Sequence, residues 1–180
     1  MAQPMTKDRA SKISVEAIKA LREKTSAPMG DVRAALEAAG GDPVKAELKL
    51  KERGFQLAQK RQGRATGQGR IESYIHHDGK MGALIEVNCE TDFVARTSDF
   101  SQFLKDLALH VAAMAPKYVT AEDLPAGTTL SDDERKAQVL LEQPFVKDPG
   151  TTVGDMLKAL IAKTGENVVI KRCIRFGLGE

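Results

Sequence analysis

His76, His77 and Cys89 are the first residues whose types could do chemistry, because all three side chains bind transition metals. The residues around them alternate between apolar and polar, which predicts two strands joined near Asp78 and Gly79. Cys89 then lies about 26 Å along its strand from the histidines, at roughly 3.3 Å per residue. Since metal–ligand bonds are only about 2.0–2.3 Å long, we expect no metal site here.

Cys89 is also a candidate nucleophile. Glu90 and Asp92 follow it, however, and acidic neighbours disfavour the thiolate form that attacks substrates. The sequence contains no GxSxG, HExxH or Walker-type glycine motif. We therefore expect a protein that is not an enzyme and has no catalytic residues, metal or cofactor.

Length and composition indicate a globular protein. The chain has 180 residues, of which 42% are hydrophobic, 29% charged and only 4% aromatic, so its core must be aliphatic. The net charge of +2 does not indicate a bulk nucleic-acid binder, and no apolar run is long enough to span a membrane. Without a secretion signal or a disulfide framework, we expect a cytoplasmic protein with reduced thiols.

The first third of the chain predicts three short amphipathic helices. Ser14 caps the first, Pro28 separates it from the second, and a glycine pair ends the second. Asp42, followed by Pro43, caps the third, which runs to Gly54. Short helices of this kind bury their apolar stripes only against each other. We therefore expect a three-helix domain at residues 14–55, preceded by a flexible leader at residues 1–13.

A basic stretch follows. Residues 56–70 contain three glycines and few apolar side chains, which predicts a linker. Residues 45–70 carry eight Lys or Arg against two Asp or Glu. This stretch is either a solvated tether or a contact for RNA. Its cations lack interleaved aromatic residues for base stacking; they are Lys60, Arg61, Arg64 and Arg70.

Residues 71–180 show strand, strand, helix, helix and strand patterns in that order. This order predicts an α+β domain with an antiparallel three-stranded sheet covered on one face by helices. In the first hairpin, matching of apolar faces favours a three-residue loop that places Ile71 opposite Val87. A two-residue loop would place Ile71 opposite Glu86 instead.

The last strand should have two different faces. Its apolar face is predicted to hold Val168, Ile170, Ile174 and Phe176, interrupted by Arg172, and its other face Lys171, Cys173 and Arg175. The charged face with Cys173 is a possible surface for a second copy of the chain.

The connector at residues 90–96 places the apolar Phe93 among charged residues. In one interpretation Phe93 folds under the following helix as part of the core, and Asp92 or Ser98 caps that helix. In the other, Phe93 projects as an anchor for another protein, while Asp92 and Arg96 give the contact its direction. Spacing alone leaves both interpretations open.

Four stretches, in order, resemble a known protein family. Residues 82–96 (GALIEVNCETDFVAR) are similar to the most specific motif of bacterial elongation factor Ts, the nucleotide exchange factor of elongation factor Tu. The other matching stretches are residues 21–36 (with LREKT and MGDVR), residues 143–146 (QPFV), and GEN at 165–167 with RF at 175–176. The resemblance implies a fold similar to ubiquitin-associated domains for the N-terminal helices.

The resemblance also implies residue roles. Thr91, Asp92, Phe93 and Val94 would form the wedge that acts on elongation factor Tu, with Phe93 inserted near its nucleotide site so that bound Mg²⁺ is displaced. Further contacts to the same partner would come from Met29, Gly30, Arg33, His76, His110, Thr164 and Gly165. For Arg33 the alternative is a solvated helix face, and for His110 a hydrogen-bonded histidine at the edge of the core.

Long members of the family have two related halves. This chain has one α+β core and therefore resembles the short form of the family. That form implies a homodimer. Two other functions remain as alternatives: an RNA-associated module that uses residues 45–70, and a scaffold whose helical domain binds a peptide or a ubiquitin-like partner.

Overall fold

A computed structural model of the chain describes residues 13–25 and 27–180. The chain divides into two compact units between Gln56 and Leu57. The predicted leader lies, except for Ile13, outside the described residues.

The first unit consists of helices α1 (Val15–Thr25), α2 (Met29–Ala38) and the first part of α3 (Pro43–Arg61). Ser14 Oγ accepts a hydrogen bond from Ala17 N–H at 3.1 Å, and Asp42 Oδ1 accepts one from Val44 N–H at 2.9 Å. These side chains cap α1 and α3 as the sequence predicts. The buried residues Leu21, Val32, Ala35, Leu36 and Ala46 form the core of this unit. The three predicted N-terminal helices are confirmed.

Helix α3 does not end at Gly54 but continues to Arg61. One glycine in a helix costs about 1 kcal/mol, which neighbouring helix formers and burial of Ala58 in the second unit's core can offset. Because β1 begins at Gln68, only residues 62–67 of the predicted linker lie outside helices and strands.

The second unit is built on an antiparallel sheet with strand order β1 (Gln68–Ile75), β2 (Met81–Cys89) and β5 (Val168–Gly177). Helices α5 (Ser98–Met114) and α7 (Val153–Thr164) pack with this sheet around one core. The α+β architecture is therefore confirmed. Two further helices, α4 (Asp92–Ala95) and α6 (Asp132–Gln138), and a small hairpin, β3 (Pro144–Phe145) and β4 (Asp148–Thr152), complete the unit.

The predicted register of the first hairpin is wrong. Ile71 pairs with Glu86, and His76 N–H donates to Met81 O at 2.9 Å. The predicted register places the isoleucines of β1 against the core. In the structure, half-buried Tyr74 packs there instead, opposite Ala83. Ile71 and its neighbour on the same face, Ile75, are consequently exposed.

The predicted apolar face of the last strand is also wrong, because the strand contains a β-bulge. Glu86 pairs with Arg172 and Val87 with Ile170, which leaves Lys171 as an extra residue. The bulge reverses the alternation: Ile170 is buried, whereas Ile174 and Phe176 are exposed.

After the bulge, it is the residues predicted on the charged face of the last strand that point towards the helices. Cys173 packs partly buried against the core, and Arg175 Nε donates to Ala112 O in α5 at 2.8 Å. The face that holds Cys173 is thus the covered side of the sheet. The uncovered side, here called the open face, presents the exposed apolar side chains Ile71, Ile75, Leu84, Ile174 and Phe176.

Candidate functional site

The connector that carries Phe93 forms one tight helical turn, α4, between the end of β2 and the start of α5. Thr91 caps α4, since its Oγ1 accepts from Val94 N–H at 3.3 Å. Thr97 caps α5 by accepting from Phe100 N–H at 3.3 Å. The expectation that Asp92 or Ser98 caps the helix is therefore wrong, and a threonine just before each helix does so instead.

Phe93 projects outward from this turn. Its side chain is 78% exposed, whereas the next residue, Val94, is only 5% exposed and belongs to the core. The interpretation that places Phe93 under the following helix is wrong. An aromatic ring of this size, held in solvent on a short turn, is the kind of side chain that anchors protein–protein contacts.

Two opposite charges lie on the same turn as Phe93. Arg96 Nη2 lies 3.0 Å from Asp92 Oδ2, and both side chains are well exposed. An exposed pair of this kind contributes little to stability, so both groups can exchange their mutual contact for a partner's charges at small cost. The turn thus presents an apolar ring with a cation and an anion beside it.

Glu166 holds the start of the turn. Its carboxylate accepts from Thr91 Oγ1 at 2.6 Å and from Thr91 N–H at 3.0 Å, across 75 residues of chain. Sequence reasoning missed this residue, because no local pattern indicates which carboxylate reaches Thr91. A weak signal existed in the GEN stretch that resembles the family.

Cys89 lies beneath the same turn and donates through Sγ to Thr91 O at 3.1 Å. Burial raises the pKa of the Cys89 thiol, and the charges of Glu166 and Asp92 raise it further. The protonated thiol is the form that donates this hydrogen bond. Cys89 therefore supports the turn as a donor, and its surroundings disfavour a nucleophile.

Two of the other predicted contact residues lie at the end of α7, close to Glu166 in the chain. Thr164 Oγ1 donates to Leu160 O at 2.9 Å, and Gly165 ends the helix with φ of 80°, a backbone conformation that favours glycine. The structure therefore brings the 164–166 segment to Thr91. His76 lies at the hairpin end of β1, with Nδ1 3.0 Å from Tyr74 Oη.

The remaining predicted contacts in the first unit lie at the start of α2. Met29 is exposed, and Gly30 has no atom within 4 Å of the position that a Cβ would take. Arg33 is exposed and its Nε donates to Glu37 Oε1 at 2.9 Å. All three side-chain positions are open to solvent.

His110 is completely buried. Its Nε2 lies 2.9 Å from Gln143 Oε1, and its Nδ1 accepts from Val146 N–H at 3.2 Å. Burial lowers the pKa of His110, while the hydrogen bond to Gln143 opposes that effect. The structure places His110 in the interior, in the hydrogen-bonded arrangement considered as the alternative, and not on a contact surface.

Among residues 13–25 and 27–180, no group of three His, Cys, Asp or Glu side chains is arranged to hold a metal ion. Cys89 and the histidine pair lie at opposite ends of the β1–β2 hairpin, as their spacing predicts. In the same part of the chain, no helix is both long enough and apolar enough to cross a membrane.

Comparison with known proteins decides the family. A sequence profile described as "Elongation factor TS" matches residues 10–137, which include the whole β2–α4–α5 segment. The chain belongs to the elongation factor Ts family. It is accordingly a translation elongation factor, and the resemblance noted in the sequence is confirmed.

Relatives from this family match over nearly the full length of the chain. Elongation factor Ts of Rubrobacter xylanophilus is 46% identical, covering 91% of this chain and 98% of the relative. Elongation factor Ts of Coprothermobacter proteolyticus is 43% identical, with coverage of 93% and 99%. Elongation factor Ts of Thermoanaerobacter sp. strain X514 is 42% identical, with coverage of 93% and 96%.

Proposed function

We propose that this elongation factor Ts family member binds elongation factor Tu in its GDP-bound state and promotes release of the nucleotide. The observation that carries the proposal is the 78% exposure of Phe93 on a turn that the core anchors through Val94. Family membership supports elongation factor Tu as the partner and the cytoplasm as the place of action.

The proposed mechanism is a wedge. Phe93 would enter between helices of elongation factor Tu near its nucleotide site, and Asp92 and Arg96 would orient the contact. P-loop proteins hold nucleotide through backbone amides, a lysine and a Mg²⁺ ion that bridges the phosphates. Displacing the partner's Mg²⁺ and loosening its grip on the phosphates would release GDP and allow GTP to rebind.

Linkage explains why no catalytic group is required. A protein that binds elongation factor Tu more tightly without nucleotide must weaken nucleotide binding by the same factor. If about 3 kcal/mol of contact free energy appears only in the nucleotide-free complex, GDP affinity falls by about two orders of magnitude. Burial of an exposed aromatic ring can supply free energy of this size.

We further propose that Met29, Gly30, Arg33, His76, Thr164 and Gly165 contribute to the partner surface. Thr164 and Gly165 belong to the segment that reaches Thr91 through Glu166. His110 is omitted, because its side chain is buried and both ring nitrogens have internal partners.

The chain is also proposed to form a homodimer through the open face of its sheet. Phe176 is 64% and Ile75 69% exposed on this face, and a groove of about 440 Å³ runs beside them. A sheet with one covered and one apolar uncovered face gains free energy by packing that face against another layer. A second copy supplies a matching layer, whereas Cys173 lies on the covered side.

The alternative of an RNA-associated module has less support than composition implies. Several cations of the basic stretch already interact with their own unit: Arg53 Nη2 lies 3.0 Å from Asp31 Oδ1, and Arg61 Nη1 donates to Ile161 O at 3.1 Å. A steep loss of RNA affinity with rising salt would be the result that favours this alternative.

The test is stopped-flow release of fluorescent GDP from elongation factor Tu. We expect the native chain to accelerate release, Phe93→Ala to abolish most of that acceleration, and Met114→Ala to retain it. Met114 is a suitable control because it is an exposed apolar side chain outside the proposed surface. If the native chain leaves the release rate unchanged, the proposed function is wrong.

A further inference from the structure

We propose that Glu166 is the positioning residue that fixes Phe93 for nucleotide exchange. This inference rests on the proposed exchange function and assigns a role to a side chain outside the wedge motif. Glu166 would not touch the nucleotide; it acts through Thr91.

Both oxygens of the Glu166 carboxylate are used in the contact. Oε1 accepts from the Thr91 hydroxyl at 2.6 Å and Oε2 from the Thr91 backbone N–H at 3.0 Å. Hydrogen bonds to an ionised acceptor are stronger than neutral ones. Two bonds to one residue fix both its backbone position and its side-chain rotamer, which a single bond would not.

Thr91 in turn determines the geometry of α4. Its Oγ1 accepts from Val94 N–H at 3.3 Å, and its C=O accepts from Ala95 N–H at 3.3 Å and from Cys89 Sγ at 3.1 Å. Because α4 is only four residues long, helix propensity alone cannot hold it. The direction of Phe93 therefore depends on how firmly Thr91 is held.

Glu166 is itself anchored by its neighbour. Asn167 is buried, its backbone N–H donates to Glu90 Oε1 at 2.6 Å, and its Nδ2 donates to Arg64 O at 2.8 Å. Arg64 Nη1 also lies 3.6 Å from Glu90 Oε1. These contacts tie the loop after α7 to Glu90 at the start of the connector and to Arg64 in the segment before β1, so the residue next to Glu166 is held in place.

This arrangement has a functional consequence. A ring that is already ordered in the free protein loses less conformational freedom when it inserts into a partner. Without Glu166, Phe93 would remain exposed, but its turn would sample other directions, and that freedom would be lost on binding. The Glu166→Ala change should therefore weaken exchange through Phe93 and not through the fold.

A double-mutant cycle tests this dependence. GDP release from elongation factor Tu is measured with the native chain, Glu166→Ala, Phe93→Ala and the double variant. We expect Glu166→Ala to slow factor-dependent release about tenfold in the native background and to cause no further loss when Phe93 is already alanine. Equal losses in both backgrounds, or no loss in the native background, would overturn the proposal.

Two controls separate positioning from general damage. Lys163→Gln removes the ion pair between Lys163 Nζ and Asp99 Oδ1 at 2.7 Å, a link from α7 to α5 that does not involve Thr91. We expect this variant to release GDP at the native rate. Glu166→Gln keeps the size of the side chain, and its amide can still pair with Thr91, since Oε1 can accept from Thr91 N–H while Nε2 donates to Thr91 Oγ1. This variant loses only the charge of the acceptor and should therefore keep more activity than Glu166→Ala.

Hydrogen exchange keeps this proposal testable if the native chain fails to accelerate GDP release. In Glu166→Ala, the Thr91 and Val94 amides should exchange at least tenfold faster than in the native chain, while β2 amides keep their protection. Unchanged exchange at Thr91 and Val94 would overturn the positioning role. Failure of native GDP release with altered amide exchange would overturn only the proposed function.

Discussion

Phe93 and Val94 are neighbours in the chain but occupy opposite environments, one 78% and the other 5% exposed. In a helix each residue is rotated by about 100° from the one before it. One residue of the turn can therefore pack into the core while the next projects into solvent. Val94 packs into the core that β2 and α5 share. Under the proposed function, the pair therefore separates stability, which depends on Val94, from partner contact, which is assigned to Phe93.

The first prediction uses this separation. Phe93→Ala should change the free energy of unfolding by less than about 0.5 kcal/mol, because the ring buries little surface in the free protein. Val94→Ala should lower it by about 2 kcal/mol, because it removes two buried methyl groups from the core. Urea denaturation followed by circular dichroism measures both changes.

GDP release supplies the second readout for the same pair. At a temperature where both variants are folded, Phe93→Ala should be nearly inactive in nucleotide exchange and Val94→Ala should retain more activity. The opposite ranking, with the stable variant active and the destabilised variant inactive, would contradict the wedge role of Phe93.

The second prediction concerns the open face. Replacement of Ile174 by Asp places a charge among the exposed apolar side chains of β5, and burial of an unpaired charge is costly. We expect this variant to be monomeric by light scattering at micromolar concentrations at which the native chain is dimeric.

The matched control is Lys171→Gln, which changes the charge of the bulged residue on the same strand. It should leave the dimer intact. A native chain with the mass of one protomer would contradict the homodimer, and dissociation by Lys171→Gln alone would instead favour the charged residues as the interface.

The helices could be predicted because their signals are local. Capping by Ser14 and Asp42 and the helical spacing of the apolar residues in α5 and α7 each lie within a few turns of chain. These signals were sufficient for the three N-terminal helices and the α+β order, whereas the candidate site around Phe93 came from the resemblance to the family, because spacing alone left both interpretations of Phe93 open.

The two registers could not be predicted, because they depend on packing across the sheet. The alternation of apolar and polar residues shows which side chains share a face of one strand, but not which of the two faces the helices cover. Tyr74 takes the covered position that the apolar pattern predicts for the isoleucines of β1. In β5 the extra residue of the bulge, Lys171, exchanges the covered and uncovered faces for the residues that follow it. The contact from Glu166 to Thr91 spans 75 residues, and nothing in the sequence indicates it apart from the GEN stretch that resembles the family.

The third prediction compares two glycines, each the second residue of a helix. A Cβ at Gly154 would lie 2.8 Å from Leu141 O, whereas one at Gly30 would have no atom within 4 Å. Gly154→Ala should therefore destabilise the second unit by about 1–3 kcal/mol. Gly30→Ala should leave stability unchanged or raise it by up to roughly 1 kcal/mol, since alanine favours helix.

Thermal unfolding measured by calorimetry checks this comparison. The two substitutions add the same methyl group at the same helical position, so helix propensity affects both equally. A difference in sign between the two changes in stability therefore reflects the space around each added methyl group. Equal destabilisation by both would contradict the close approach of Leu141 O to α7.

The fourth prediction concerns the pH dependence of stability. Burial lowers the pKa of His110 below its ordinary value of 6.5, while the unfolded chain keeps that ordinary value. Below pH 6.5 the unfolded state therefore binds more protons than the folded state, so the free energy of unfolding falls as the pH is lowered towards the folded pKa. One such group contributes a slope of at most about 1.4 kcal/mol per pH unit.

The structure also fixes which form of His110 is stable. Nδ1 accepts from Val146 N–H, so a proton on that nitrogen would break the hydrogen bond and leave a buried donor facing another donor. In His110→Gln the side chain cannot titrate, and the unfolding free energy should depend less on pH between 7 and 5 than in the native chain. Parallel pH profiles for the native chain and His110→Gln would contradict the buried neutral histidine.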